Sequence, residues 1–254
     1  MITNFVDLIV EYPNALSDDL CSEIIEKFEQ DPRKQEGQTG PNKISDLKKS
    51  TDLWISDFHD WREIDGRIYE EFSPHVKPYF DHLKKSLGAV VQCTDTQVVD
   101  SGYQIQRTNV GQSYGWHTDD EYAACLDTLT HPIRGEMDSG ASGYQRRLFT
   151  YIFYLNDGYE GGRTQFRVGP GEEGCYSVIP EKGKLLCFPA NFLFWHQGEP
   201  VTKGTKYLMT GWVSDYIMTT TVDTCPMSKE WRNKLVLLGR SLIVDDRGTV
   251  TGTL

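Results

Sequence analysis

Apolar residues change their spacing near residue 97, and the change predicts two kinds of structure. Before it they recur at helical intervals. Leu20, Ile24, Ile25 and Phe28 share one face, behind Ser17 as N-cap and with Asp18 and Asp19 in the first turn. This helix is expected to stop near Asp31-Pro32. Residues 31 to 50, DPRKQEGQTGPNKISDLKKS, are polar and without period, and read as a mobile loop. Ile64, Ile68, Phe72, Val76 and Phe80 then mark a second helical stretch over about 61–87, which Pro74 and Pro78 should bend or break.

Beyond residue 97 the pattern shortens to β-like runs set off by glycine turns. QVVDSGYQIQRT, RLFTYIFYLND, TQFRV, CYSVI, KLLCFPA, FLFWH and KYLMTGWVS are rich in β-branched and aromatic residues. Helices first, then about seven strands with no helix between them, imply a mainly β protein: a barrel or jelly roll buttressed by N-terminal helices. We expect a single domain over 1–254, with helical support over about 1–96, the β core over about 97–214, and a C-terminal extension at 215–254. One further helix is expected near 228 to 240.

Composition supports a packed core: 38% of residues are hydrophobic and 12% aromatic. A net charge of −11 disfavours nucleic acid, whose phosphates call for Lys and Arg. The opening MITNFVDLIVEYPN lacks a basic cluster and a long apolar run, so no secretory leader is expected. Nor does any stretch approach the roughly 20 apolar residues needed to cross a bilayer. Six cysteines at 21, 93, 125, 175, 187 and 225 show no paired spacing, which suits free thiols and a cytoplasmic location.

Candidate chemistry centres on YGWHTDDEYA. A ferrous site wants two neutral imidazoles and a carboxylate on one face of the ion. On a strand, His117 and Asp119 would point the same way, and His196 in FLFWHQGEPV could end a strand pairing beside them. On these three residues alone, a chance H-x-D in an acidic protein is the preferred reading. The histidines at 59, 75, 82 and 131 have no comparable context.

Four ordered motifs change that balance: QRTNVGQSYGWHTD, RRLFTYIFYLNDGYEGGRTQF, KGKLLCFPA and HQGEPVTKGTKYLMTGW. Together they resemble the iron(II) and 2-oxoglutarate dependent dioxygenases, specifically the prolyl 4-hydroxylase-like group. The resemblance covers about residues 97 to 214 and implies a double-stranded β-helix core, the cupin-like jelly roll. It further implies that His117, Asp119 and His196 bind iron and that Lys206 binds the C5 carboxylate of 2-oxoglutarate, with Tyr154 beside it. Tyr114, Thr150, Thr164 and Trp212 fall at positions that line the family's pocket, and Arg147 at one facing the substrate. Thr108 stands where the family often has tyrosine, so either the cosubstrate network or the shape of the substrate pocket should differ.

The implied activity is hydroxylation of an unactivated C–H bond, with 2-oxoglutarate converted to succinate and carbon dioxide. Dioxygen is consumed, and ascorbate is a candidate reductant. The expected substrate is a prolyl residue in a peptide or protein, with no nucleic acid or membrane partner. A free amino acid or other small metabolite is the alternative, and a zinc hydrolase or a noncatalytic ligand-binding barrel are readings from other classes. The loop at 31–50 and the stretch from Asp120 to Arg146 are candidate lids.

Overall fold

The computed structural model describes residues 5–39, 44–87, 98–120, 122–125, 143–170, 174–218, 242–244 and 250–253. In chain order the strands are β1 (Val10–Tyr12), β2 (Gln35–Glu36), β3 (Thr51–Trp54), β4 (Val98–Asp100), β5 (Gln104–Thr108), β6 (Tyr114–His117), β7 (Tyr122–Cys125) and β8 (Gly143–Tyr154). There follow β9 (Glu160–Gly161), β10 (Thr164–Arg167), β11 (Cys175–Val178), β12 (Leu185–Pro189), β13 (His196–Gly198), β14 (Val201–Lys203) and β15 (Lys206–Met218). A separate hairpin joins Leu242–Val244 to Val250–Thr253. The helices are α1 (Asp18–Gln30) and α2 (Arg62–Leu87).

Two antiparallel sheets form the jelly roll. The larger runs β1-β12-β8-β15-β5-β3-β2, with β4 also on β15 and β7 on β8; the smaller runs β11-β10-β13-β6. Side chains alternate across the larger sheet, as the pleat requires. Ile105, Phe149, Tyr151, Phe153 and Met209 point outward and are fully buried under the helices. Phe72 of α2 meets Tyr151 at 4.3 Å between ring centroids, and Tyr79 meets Phe149 at 4.8 Å. The alternate residues Gln104, Gln106, Thr108, Ile152, Lys206, Leu208 and Thr210 line a cavity between the sheets.

The first helix matches its sequence pattern, and its buried face is Leu20, Cys21, Ile24 and Phe28. The second corrects the expected break, because α2 runs through both Pro74 and Pro78. Both prolines are on the exposed side of the helix. The carbonyls they leave unpaired, at Glu70 and Pro74, can therefore be hydrated while the opposite face packs on the sheet. FLFWH is also corrected. Residues 191–195 form a turn in which Phe194 alone is buried, and the strand begins at His196.

The polar segment 31–50 is anchored where it is described. Asp31 accepts hydrogen bonds from Arg33 and from the Trp61 indole, and Lys48 and Ser50 are buried. Backbone bonds Gly115 N to Leu47 O and Lys49 N to Ser113 O add residues 47–49 to the edge of β6. Polarity without period suggested a mobile loop; ion pairs and this strand addition tie the segment down at Asp31, Lys48 and Ser50, while Arg33, Gln35, Glu36, Ile44, Asp46 and Leu47 stay exposed. Positions 40–43, most of the Asp120 to Arg146 stretch, the helix expected near 228–240, and the side chains of Cys93, Cys125, Cys225 and His131 lie outside the described residues.

Candidate metal and cosubstrate site

β6 and β13 are antiparallel neighbours in the smaller sheet, and their register sets His196 directly opposite His117. Asp119 follows two residues beyond the end of β6, so it reaches the same point from the strand's exit rather than from within it. The three ligand atoms lie within 4.8 Å of one another. Asp119 Oδ1 is 3.6 Å from His117 Nε2, and Asp119 Oδ2 is 3.6 Å from His196 Nε2.

Each imidazole is oriented by its own backbone. Nδ1–H of His117 donates to the Gly115 carbonyl at 2.8 Å, and Nδ1–H of His196 to the Phe194 carbonyl at 3.0 Å. Both Nε2 lone pairs are thereby left facing the cluster. From the opposite sheet, the buried Thr150 hydroxyl donates to Asp119 Oδ2 at 2.6 Å. Burial, then the charge of His196, lowers the pKa of His117 to about 4. For Asp119, burial favours the neutral acid, yet His196, His117, Thr150 and Arg147 together hold the carboxyl below its usual range. At neutral pH the cluster is therefore a neutral imidazole beside a carboxylate, the protonation states that a metal needs.

Lys206 opens β15 opposite Thr108 of β5. Its side chain is almost wholly buried, and burial lowers its pKa to about 8. Among the described residues no carboxylate pairs with it; its one hydrogen bond goes to the Gly162 carbonyl at 2.6 Å. That carbonyl faces inward because Gly161 and Gly162 both adopt positive φ, +75° and +64°, and a Cβ on Gly161 would collide with the Pro200 carbonyl. Beside the ammonium, the buried Tyr154 hydroxyl donates to Thr164 Oγ1 at 2.7 Å.

His117, Asp119, His196, Lys206, Thr108 and Thr164 border one cavity of about 490 Å³, and Tyr154 and Thr150 stand behind its wall, bonded to Thr164 and Asp119. Tyr114 stacks on His117, with centroids 3.7 Å apart and planes 12° from parallel. Arg147 lies over the Trp212 ring at 3.5 Å and donates to the Asp119 backbone carbonyl at 3.4 Å. The structure thus brings together every site residue expected from the sequence: His117, Asp119, His196, Lys206, Tyr154, Tyr114, Thr108, Thr164, Arg147 and Trp212. His75 and His82 lie elsewhere, the first against Tyr12 and the second on the Asp7 carbonyl.

Sequence reasoning missed Lys48, Asp52, Trp54, Gln104 and Gln106. Of these, all but Asp52 line the cavity, and Asp52 stands behind Lys48. A signal was present in TDLW and QIQRT, where polar or amphipathic residues alternate with Leu53 and Ile105.

The donor set suits a divalent transition metal, with imidazole and carboxylate ligands on one side and the cavity on the other. Lys206 suits a dicarboxylate, since an unpaired buried ammonium has a charge to satisfy.

Comparison with known proteins agrees. Residues 103–214 match the model of the 2OG-Fe(II) oxygenase superfamily. A PKHD-type hydroxylase of Synechococcus sp. (strain CC9902) is 26% identical over 118 residues, which are 46% of this chain and 42% of that one. The chain thus spans about two fifths of that relative's length. The multifunctional procollagen lysine hydroxylase and glycosyltransferase LH3 of Rattus norvegicus is 30% identical over 122 residues, 45% of this chain and 16% of that one. In fold, the chain resembles a prolyl hydroxylase from Trichoplax adhaerens solved with a hypoxia inducible factor oxygen degradation domain peptide fragment. The TM-score is 0.56 at 17% identity, covering 84% of each chain.

Proposed function

We propose, from the match of residues 103–214 to the 2OG-Fe(II) oxygenase superfamily, that the chain hydroxylates a prolyl residue in a peptide or protein, using Fe(II) and 2-oxoglutarate. One observation carries this reading. The His117, Asp119 and His196 ligand atoms, and an ammonium with no carboxylate partner among the described residues, share one cavity. We take residues 1–254 as a single catalytic unit. Its location is proposed as cytoplasmic, which suits free thiols at Cys21, Cys175 and Cys187. No described helix is long and apolar enough to cross a membrane.

In this reading His117, Asp119 and His196 would hold the iron, and Lys206 would pair with the C5 carboxylate of 2-oxoglutarate. When bound, iron, 2-oxoglutarate and dioxygen supply the oxidant for C–H hydroxylation, with succinate and carbon dioxide released. The chain's own groups supply position and dryness. Gly115 and Phe194 fix the imidazole tautomers, and Thr150 holds one carboxylate oxygen of Asp119. Thr164 accepts from Tyr154, which keeps that phenol beside the Lys206 ammonium. Tyr114 covers the open face of His117. Arg147 and Trp212 stand at the substrate side.

The peptide class is supported by what similar proteins act on: one relative is a procollagen lysine hydroxylase, and one structural neighbour is a prolyl hydroxylase solved with a peptide. Incubation with ferrous iron, 2-oxoglutarate and proline-containing peptides should add the mass of one oxygen atom to proline, in step with succinate. Oxygen delivered to lysine, or to a free amino acid in preference to any peptide, would reject the prolyl assignment.

A further inference from the structure

The cavity has a second buried ammonium that the proposed reaction does not use. Lys48, 3% exposed, donates to Asp52 Oδ2 at 2.6 Å, while Ser50 donates to Asp52 Oδ1 at 2.7 Å. Lys48 reaches this position because residues 47–49 join β6, and Asp52 because it faces inward from β3, opposite Gln106. A buried ion pair of this kind gives little net stability compared with apolar side chains of the same volume.

Lys48 also fixes the two glutamines next to it. An ammonium can only donate, so the Gln104 atom 3.5 Å from it is the amide oxygen. That same oxygen accepts from Gln106 Nε2 at 2.6 Å. Gln104 is left with a free amide N–H pair, and Gln106 with a free carbonyl. Both residues line the cavity, and among the described residues neither free group has a partner. Neither is among the polar atoms sealed from solvent.

We propose that Lys48, Gln104 and Gln106 form a subsite for a main-chain amide of the substrate, offering donors to its carbonyl and an acceptor to its N–H. The charge arrangement separates this wall from the far end of the cavity. Lys206 has no carboxylate partner among the described residues and suits a carboxylate ligand. Lys48 is already balanced by Asp52 and suits a neutral carbonyl, so a free amino acid's carboxylate is not its partner. The inference rests on the hydroxylase reading above and narrows its substrate to an amide-linked chain.

The test is an anaerobic titration of protein loaded with ferrous iron and 2-oxoglutarate, following the visible charge-transfer band. The probes are acetylated, amidated tripeptide pools centred on proline or on alanine, and free L-amino acids. The capped proline pool should perturb the band, with affinity about tenfold weaker in Gln106→Leu and in the paired replacement Lys48→Met/Asp52→Leu, about the worth of one hydrogen bond to a charged or polar partner. The band itself, present before peptide is added, reports that each variant is folded and binds cosubstrate. Three results would overturn the inference: no response to either capped pool, equal affinity in wild type and variants, or loss of the 2-oxoglutarate band in Gln106→Leu. A response to the alanine pool alone, weakened in the variants, keeps the amide subsite and removes the prolyl assignment.

Discussion

The two faces of the larger sheet are made from the same strands and serve opposite ends. On the outer face Ile105, Phe149, Tyr151, Phe153 and Met209 bury apolar surface against α2 and give stability. On the inner face the neighbouring residues are Gln104, Gln106, Thr108, Thr150, Tyr154, Lys206 and Thr210. They are also buried, but they carry polar atoms that cost stability unless partnered. Burial alone does not separate structure from chemistry here. What separates them is buried polarity at every second position, with the unpaired ammonium of Lys206 as the extreme case.

Substitutions on the two faces should therefore fail differently. Asp119→Ala on the inner side should cut turnover by about ten-thousandfold or more, with the secondary structure seen by circular dichroism retained. Phe153→Ala on the outer face should cost about 3–5 kcal/mol in denaturant unfolding, while the folded fraction keeps its affinity for 2-oxoglutarate. Lys206→Met should raise the 2-oxoglutarate KM by about 10- to 100-fold, the worth of a charge-assisted bond. The same variant should melt higher than wild type without ligand, because it removes a buried ammonium that Glu199 offsets only at a distance, without an ion pair.

Titration sharpens the contrast. Burial lowers Lys206 to about 8, below the 10.5 of an unperturbed lysine. Between those values the unfolded chain binds more protons than the ligand-free folded one, so stability rises with pH across the window. A bound dicarboxylate favours the ammonium, so the 2-oxoglutarate KM should rise by about tenfold per pH unit above 8, the slope of one proton. Lys206→Met should flatten both profiles. Thr150→Val, which takes a single hydrogen bond from Asp119, should weaken iron affinity by about tenfold in a competitive chelation assay.

Much of this was legible in the sequence, for identifiable reasons. α1 followed from acidic residues in its first turn and a 3.6-residue period, although Ser17 at its start donates to Glu71 rather than capping it, and the inner row of β15 followed from the alternation in KYLMTGW. The metal trio was weak by composition and strong through four ordered motifs, because those motifs encode the turns and registers that bring distant residues together. α2 defied its prolines because both lie on the solvent side, a fact of tertiary packing. Lys48 was hidden because a lysine in a polar stretch looks solvated until a strand addition and Asp52 draw it inside. FLFWH read as a strand because its apolar run is continuous, yet only Phe194 finds the core.

In the proposed enzyme one iron is held by three side chains, with its cosubstrate tethered at Lys206. Anaerobic titration with ferrous iron and 2-oxoglutarate tests it directly. The expected result is one equivalent of each per chain, a visible charge-transfer band that requires both, no band in His196→Ala or Asp119→Ala, and a much weaker 2-oxoglutarate dependence in Lys206→Met. An undiminished band in either ligand variant, or unchanged 2-oxoglutarate affinity without the lysine, would contradict it.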